Sequence, residues 1–366
     1  MPASYMQLFL DGLNHPSLIP PSYSLTKELN KYTDDELEDL AQKQSFNFYT
    51  QLPAALKEVY SESDLLIKER KINLLKSFII EGNNHKNCNS STSFTNKIFV
   101  RVTQESLELA VENNDSNLAI SIIKASGSTN TNASNIFQLI KPHQTAFFKD
   151  VMASINEKNG LATLLPNSFI KETIGNLHYA MKKWVFTDQY PERLDIFAKS
   201  FPASLTTNRV NIYLNTSINA CDPVNVLASL KYIPSNKDNI DKIDCNFISN
   251  KLSNSAINGN DAKKVFLHLR DHFSPPNDEP SNLLIILASF VLLIVNSENL
   301  DALRSIHEIP LVSEGRFLEK LDPKAQDSLL SLISMDALDQ LIDQHSTSYI
   351  LNTDFQAEPE VSTFSL

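Results

Sequence analysis

Apolar residues recur three or four positions apart along this chain, in blocks separated by short polar turns. Leu118 pairs with Ile122, Leu194 with Phe197, Leu227 with Leu230, Val265 with Leu269, Leu300 with Leu303 and Ile306, and Leu338 with Leu341. That is the period of one helix face, so each block predicts an amphipathic α-helix. Other blocks have wider apolar faces, such as Val210, Leu214 and Ile218, or Ile248, Leu252 and Ala256. A helix sandwiched between neighbours buries more of its circumference, and residues 283–295, apolar nearly throughout, predict such a helix. Five stretches reach a proline (Pro166, Pro202, Pro234, Pro275 and Pro310), which cannot continue a helix and predicts its end.

The polar turns begin near Asn113, Asn156, Gln189, Ala220, Asn258, Asn296 and Ser334, at intervals of 43, 33, 31, 38, 38 and 38 residues. The last three are equal, and the first two together are twice as long. Periods of this size mark two-helix repeats. The expected architecture is all-α: a right-handed stack of degenerate helix-turn-helix repeats over residues 96–346. A helical region, residues 1–95, precedes it and a flexible acidic tail, residues 347–366, follows. Within residues 1–95, Thr33 and Glu36 form a capping box before Leu37, Leu40 and Ala41. Pro53 suits the first position of a further short helix. Leu65, Ile72, Leu75 and Ile79 then predict one buried stripe. The polar stretches 83–93 and 126–135 read as loops.

Composition sharpens this. Only 7 of 366 residues are glycine, and no two are close together, so no loop is built to wrap a phosphate or dinucleotide. Lys and Arg total 32 against 43 Asp and Glu, a formal net charge of −11, the wrong sign for neutralising nucleic-acid phosphates. Three scattered cysteines (Cys88, Cys221, Cys245) form neither a disulfide framework nor a metal knuckle, which points to a reducing cytosol. The first residues lack the charged and apolar regions of a secretory signal. At about 1.5 Å per residue, the 283–295 run covers roughly 20 Å, short of the ~30 Å of a bilayer core. No stable membrane insertion is expected.

Residues 105–126, ESLELAVENNDSNLAISIIKAS, resemble a decayed ankyrin repeat. Leu109 and Ala110 stand at the alanine-bearing first helix of that family, Glu112, Asn113 and Asn114 at its polar turn, and Leu118, Ile122 and Ile123 at its second helix. Residues 254–269 and 295–306 echo the same turn-and-helix half. The family's TPLH start is absent, glycine is missing from most hairpin ends, and the intervals exceed the usual ~33 residues. The resemblance implies an ankyrin-like or generic α-solenoid that binds another protein on a concave face, with no catalytic residue or cofactor. The carboxyl end, DFQAEPEVSTFSL, combines acidic Glu358 and Glu360 with small hydroxyl residues and apolar Phe364 and Leu366. It resembles the export signal of type IVB secretion-system effectors of intracellular bacteria, which implies delivery into a host cytosol and a host-protein partner.

His268, His307 and His345 are separated by 39 and 38 residues, close to the repeat interval, and would form a ladder on successive second helices. Packed helices lie ~8–10 Å apart, too far for one imidazole per helix to share a metal, so the ladder reads as a binding-face feature or chance. His268 and His272 share a helix face, but HLRDH lacks the glutamate of zinc proteases. Cys221, in a turn, is a nucleophile only if exposed and activated. Trp184, Tyr190, Phe197 and Phe201 concentrate aromatic surface; most fit core positions, and Tyr190 is the exposed partner-binding candidate. The chain is therefore expected to be an interaction module and secreted effector. The alternatives are an enzyme with a site between the amino-terminal region and the first repeats, or a non-secreted scaffold.

Overall fold

A computed structural model describes residues 5–18, 27, 29–84, 93–126, 131–156, 160–161, 164–235, 258–273, 281–297, 299–307 and 309. Every element among them is helical. The chain divides into two compact units, Met1–Leu205 and Thr206–Leu366.

The first unit contains α1 (Tyr5–Asn14), α2 (Asp34–Ser61), α3 (Leu65–Asn84), α4 (Phe94–Glu112) and α5 (Ser116–Ser126). A 3₁₀ turn (Thr131–Asn135) leads into α6 (Ile136–Leu139), followed by α7 (Thr145–Ile155), α8 (Asn167–Trp184) and α9 (Tyr190–Ser200). Packing skips along this order. α4 lies against α2 and against α6 with its 3₁₀ lead-in, and α8 lies against that same lead-in and α6. α5 lies against α3 and α7, and α9 against α7. The expected boundary near residue 95 falls inside this unit, where α2 and α3 pack on α4 and α5.

The start of the core is aromatic. Phe9 of α1 stacks on Phe78 of α3 at 3.9 Å between ring centroids, and Phe78 meets Phe99 of α4 at 5.0 Å. A methyl group at Gly82 would overlap the Phe99 ring, so glycine sets how closely α3 and α4 approach.

The second unit contains α10 (Thr207–Ala220), α11 (Pro223–Leu230), α12 (Gly259–Phe273), α13 (Ser281–Asn296) and α14 (Leu300–His307). α11 packs on α10 and α12, and α12 on α13 and α14. At Gly259 a side chain would strike Ser305 and the Asp301 carbonyl of α14. The apolar 283–295 run lies in α13, where Leu283, Ile286, Leu287, Phe290, Leu293 and Ile294 are buried. Among the described residues, no helix is long and apolar enough to cross a membrane.

Two hairpin turns, one in each unit, share one local design. Asn114 and Cys221 take left-handed conformations (φ 56° and 52°), and each is followed by an aspartate. The amide of Asp115 reaches back to the Ala110 carbonyl (2.8 Å), as that of Asp222 does to Ser217 (3.1 Å). Both satisfy carbonyls left open at a helix end. Each aspartate then caps the next helix: Asp115 accepts from the Leu118 amide at 2.9 Å, Asp222 from the Asn225 amide at 3.1 Å.

Sequence expectations meet the structure unevenly. The capping box holds: the Thr33 amide donates to Glu36 at 2.7 Å and the Glu36 amide to Thr33 Oγ1 at 3.3 Å. Pro53 does not start a helix but sits exposed inside α2. Phe48, Leu52, Ala55, Leu56 and Val59 continue one buried face past it. Burial of those side chains, at ~1.5–3 kcal/mol for each large one, outweighs the ~3 kcal/mol cost of an internal proline. Pro166 precedes α8 and gives its carbonyl to the Ile170 amide (3.1 Å), so it opens a helix rather than closing one. α7 ends at Ile155, with Asn156, the expected start of a turn, as its carboxyl cap, and a further turn at Lys141–Gln144 joins α6 to α7. Leu65 (78% exposed) and Leu227 (53%) lie outside their expected stripes.

α2 also holds the start of α4. Glu38 accepts from the Phe94 amide at 2.6 Å and the Ser93 hydroxyl at 3.0 Å. Burial works against its charge, but the bonds from Phe94, Ser93 and Thr95 outweigh it, holding the carboxyl below its ordinary range. A depressed carboxyl contributes stability above its unfolded pKa and loses it as pH falls through the folded value. Glu38→Ala is expected to cost about 1 kcal/mol at pH 7, as for a lost helix cap. Urea denaturation across the acidic range checks this: the difference from wild type should shrink as the pH falls.

Candidate functional site

The aromatic concentration seen in the sequence becomes a buried cage around a cation that pattern reading passed over. α8 delivers Trp184 at its end, α7 delivers Phe148, and α9 delivers Arg193 one turn after its start. The Arg193 guanidinium stands 4.0 Å from the Trp184 ring centroid and 5.2 Å from that of Phe148. Arg193 is completely buried. Its Nη2 donates to the carbonyls of Lys141 (2.9 Å) and Pro142 (2.7 Å), while Nε and Nη1 are buried without a hydrogen-bond partner. The aromatic faces stand where those two groups would otherwise meet water. Burial pulls the guanidinium down to about 10, opposed by the Glu192 charge, so it stays cationic at neutral pH.

Arg193 belongs to a series of links between successive hairpin turns. The Tyr60 hydroxyl, at the end of α2, donates to Asp115 in the α4–α5 turn at 2.7 Å. Gln144, in the α6–α7 turn, donates from Nε2 to the Val111 carbonyl at the end of α4 (2.5 Å). Arg193 then ties α9 to the α6–α7 turn. Each link uses a side chain at one turn to bond atoms of a neighbouring turn: Tyr60 reaches forward, Gln144 and Arg193 reach back. Burial and Asp115 push the Tyr60 hydroxyl pKa upward, so it stays a donor. Tyr60 and Asp115 stand where residues 1–95 meet the helices that follow, the region of the alternative enzyme expectation.

The nominated residues are dispersed. Tyr190 is fully buried, contrary to its expected exposure, because it opens α9 facing the core beside Leu194 and Phe197. Trp184, Phe197 and Phe201 are buried as expected. His268 is half-buried on α12, and His307 is the last residue of α14, which packs on α12. His345, Glu358, Glu360, Phe364 and Leu366 lie outside the described residues. His272 places Nε2 2.8 Å from the Ile233 carbonyl, near the end of α11, and its ring edge-on to Phe273. Among the described residues no cluster of three or more His, Cys, Asp or Glu is arranged to hold a metal. Cys221 is buried rather than exposed, and its thiol is pushed up to about 12, chiefly by burial, then by Asp261 and Asp222. A thiol so held is a poor nucleophile at neutral pH.

What the fold leaves uncovered is one side of α8. Thr173, Leu177, Met181 and Trp184 face inward, and Asn176 is fixed by Ser134 (3.1 Å), Asn135 (3.0 Å) and Gln138 (2.7 Å). Outward, at helical spacing, stand Lys171, Gly175, Tyr179, Lys182 and, just past the helix end, Phe186, all exposed. Tyr179 is 52% exposed and Phe186 55%, and Lys183 Nζ lies 4.4 Å from the Tyr179 ring centroid. In the second unit, Val224 and Leu227 of α11 are similarly bare. Large apolar groups presented together in this way mark contact surfaces.

Comparison of the chain with protein-family models, with curated proteins and with solved structures finds no match. Arg193→Lys keeps the charge but loses the planar stack and the two-carbonyl fork. It is expected to destabilise the fold by about 2 kcal/mol or more, given charged hydrogen bonds worth ~1.5–3 kcal/mol. Guanidinium denaturation followed by Trp184 fluorescence measures both the stability and the local disruption.

Proposed function

We propose that the protein is a helical-repeat interaction module: a solenoid of degenerate, ankyrin-like helix pairs whose exposed faces bind another protein. The observation that carries this reading is the skipped packing order, α2–α4–α6–α8 beside α3–α5–α7–α9. A stack of hairpins produces that order, because each pair covers the apolar side left open by the one before it. The side-chain links between successive turns, and the turn design shared by Asn114-Asp115 and Cys221-Asp222, support it. Such arrays present long rigid surfaces, and the bare Tyr179, Phe186 and Leu227 supply the apolar anchors that binding energy concentrates on.

Delivery as a type IVB effector, acting on a host protein in the host cytosol, is the part of the proposal that rests on the terminal Glu358, Glu360, Phe364 and Leu366. Deletion of residues 358–366 should abolish translocation of a reporter fused to the full chain while leaving the melting temperature unchanged; unchanged translocation removes these residues as the signal, and no translocation of the full chain leaves a non-secreted scaffold. Phe186→Asp and Leu227→Asp test the module itself. At least one is expected to weaken a purified partner complex about tenfold or more in calorimetric titration, with the fold intact. A partner bound equally by both variants would remove these surfaces from the account.

A further inference from the structure

We infer that the outer face of α8 is a docking site for an acidic, amphipathic helix of a partner protein. This rests on the interaction-module reading and specifies one surface of it and the chemistry it takes.

The face is a single line. Lys171, Gly175, Tyr179 and Lys182 are spaced four, four and three residues apart, so they share one side of α8 over about 17 Å, and exposed Phe186 follows just past its end. Its charge runs against the whole: α8 carries three lysines (Lys171, Lys182, Lys183) and one acid, Glu172, with Asp188 two residues past Phe186, on a chain of net charge −11. Lysines beside two half-exposed aromatic rings fit a ligand that is anionic along its edges and apolar along its centre.

Gly175 supplies an observation of a different kind. It lies in the interior of an 18-residue helix, where glycine is the weakest ordinary choice, and beyond the adjacent backbone of α8 itself nothing lies within 4 Å of where its Cβ would stand. Packing inside the chain therefore gives no reason for it. At the centre of the exposed line, the missing side chain opens a notch where the backbone of a second helix comes close, with Tyr179 and Phe186 to one side of it. The neighbouring Asn176 bonds and the Arg193 cage hold α8 in place, so the face is formed before the partner arrives. A long polyanion such as RNA would extend past three lysines onto an acidic protein, whereas a short acidic helix meets only the basic line.

The test uses the full chain as bait for a phage-displayed library of helices about 20 residues long, with randomised outward positions. Selected helices should be enriched in Asp and Glu flanking an apolar stripe. Their synthetic peptides should lose affinity about tenfold or more on Lys171→Glu/Lys182→Glu/Lys183→Glu, and should weaken with added salt. Gly175→Trp should block binding at unchanged far-ultraviolet circular dichroism, while Gly175→Ala should raise the melting temperature, separating the notch from the fold. Selected helices without acidic enrichment, or indifferent to these variants, overturn the α8 site and leave the module reading standing. Failure to select any helix on any surface counts against both. Adsorption to phosphatidylserine vesicles through the same lysines, without helix binding, replaces the protein partner with a membrane and overturns the proposal.

Discussion

Two helices joined by a short turn cover only one side of each other, and whatever apolar surface remains must find a neighbour or stay in water. In this protein that remainder is covered by the next helix but one. Phe78 of α3 packs on Phe9 of α1 and on Phe99 of α4. α5 is held between α3 and α7, and α7 between α5 and α9. Apolar burial provides the attraction but has no direction of its own, so it fixes neither register nor angle. Register comes from polar links that reach between turns. Tyr60 donates forward to Asp115 of the α4–α5 turn, while Gln144 and Arg193 satisfy carbonyls of the preceding turn that would be costly to leave unpaired.

The same arrangement places the exposed groups. Arg193 anchors α9 to the α6–α7 turn while Trp184 closes the end of α8 over it. Asn176 fixes the flank of α8 to the 3₁₀ lead-in of α6. A helix secured on its inner side and flank has one direction left to present, and that direction carries Lys171, Tyr179, Lys182 and Phe186. Histidines and cysteines, the usual carriers of chemistry, are used differently. His272 bonds a backbone carbonyl, and Cys221 is buried in a left-handed turn with its thiol protonated.

Signals that act within four residues were legible in the sequence. The Thr33–Glu36 box, the Leu118–Ile122 and Val265–Leu269 faces, and the turns at Asn113 and Ala220 all act over such distances. Features decided by distant neighbours were not. Pro53 obeys a local rule for helix starts, yet the buried face running from Phe48 to Val59 carries the helix through it. A proline begins a helix as readily as it ends one, and at Pro166 the helix that follows directly, α8, decides which. Tyr190 is buried against its expected exposure, and Arg193, for which the sequence raised no expectation, is buried beside it because an aromatic cage offsets the usual cost of burying a cation. The three-residue step from one to the other turns both toward the core. The cage had one visible trace: an arginine within the Trp184–Phe201 aromatic cluster, with no acid three or four residues away on its helix.

The most direct test is hydrogen exchange on wild type and Leu118→Ala, a cavity at the buried face of α5. If stability passes only between neighbouring helices, exchange should accelerate in α5 and in its contacts α3, α4 and α7. It should stay near wild type in α1 and α8, which are separated from α5 by an intervening helix. Equal acceleration across the nine α-helices described in the first unit would mean one undivided core, and would contradict the stacking account.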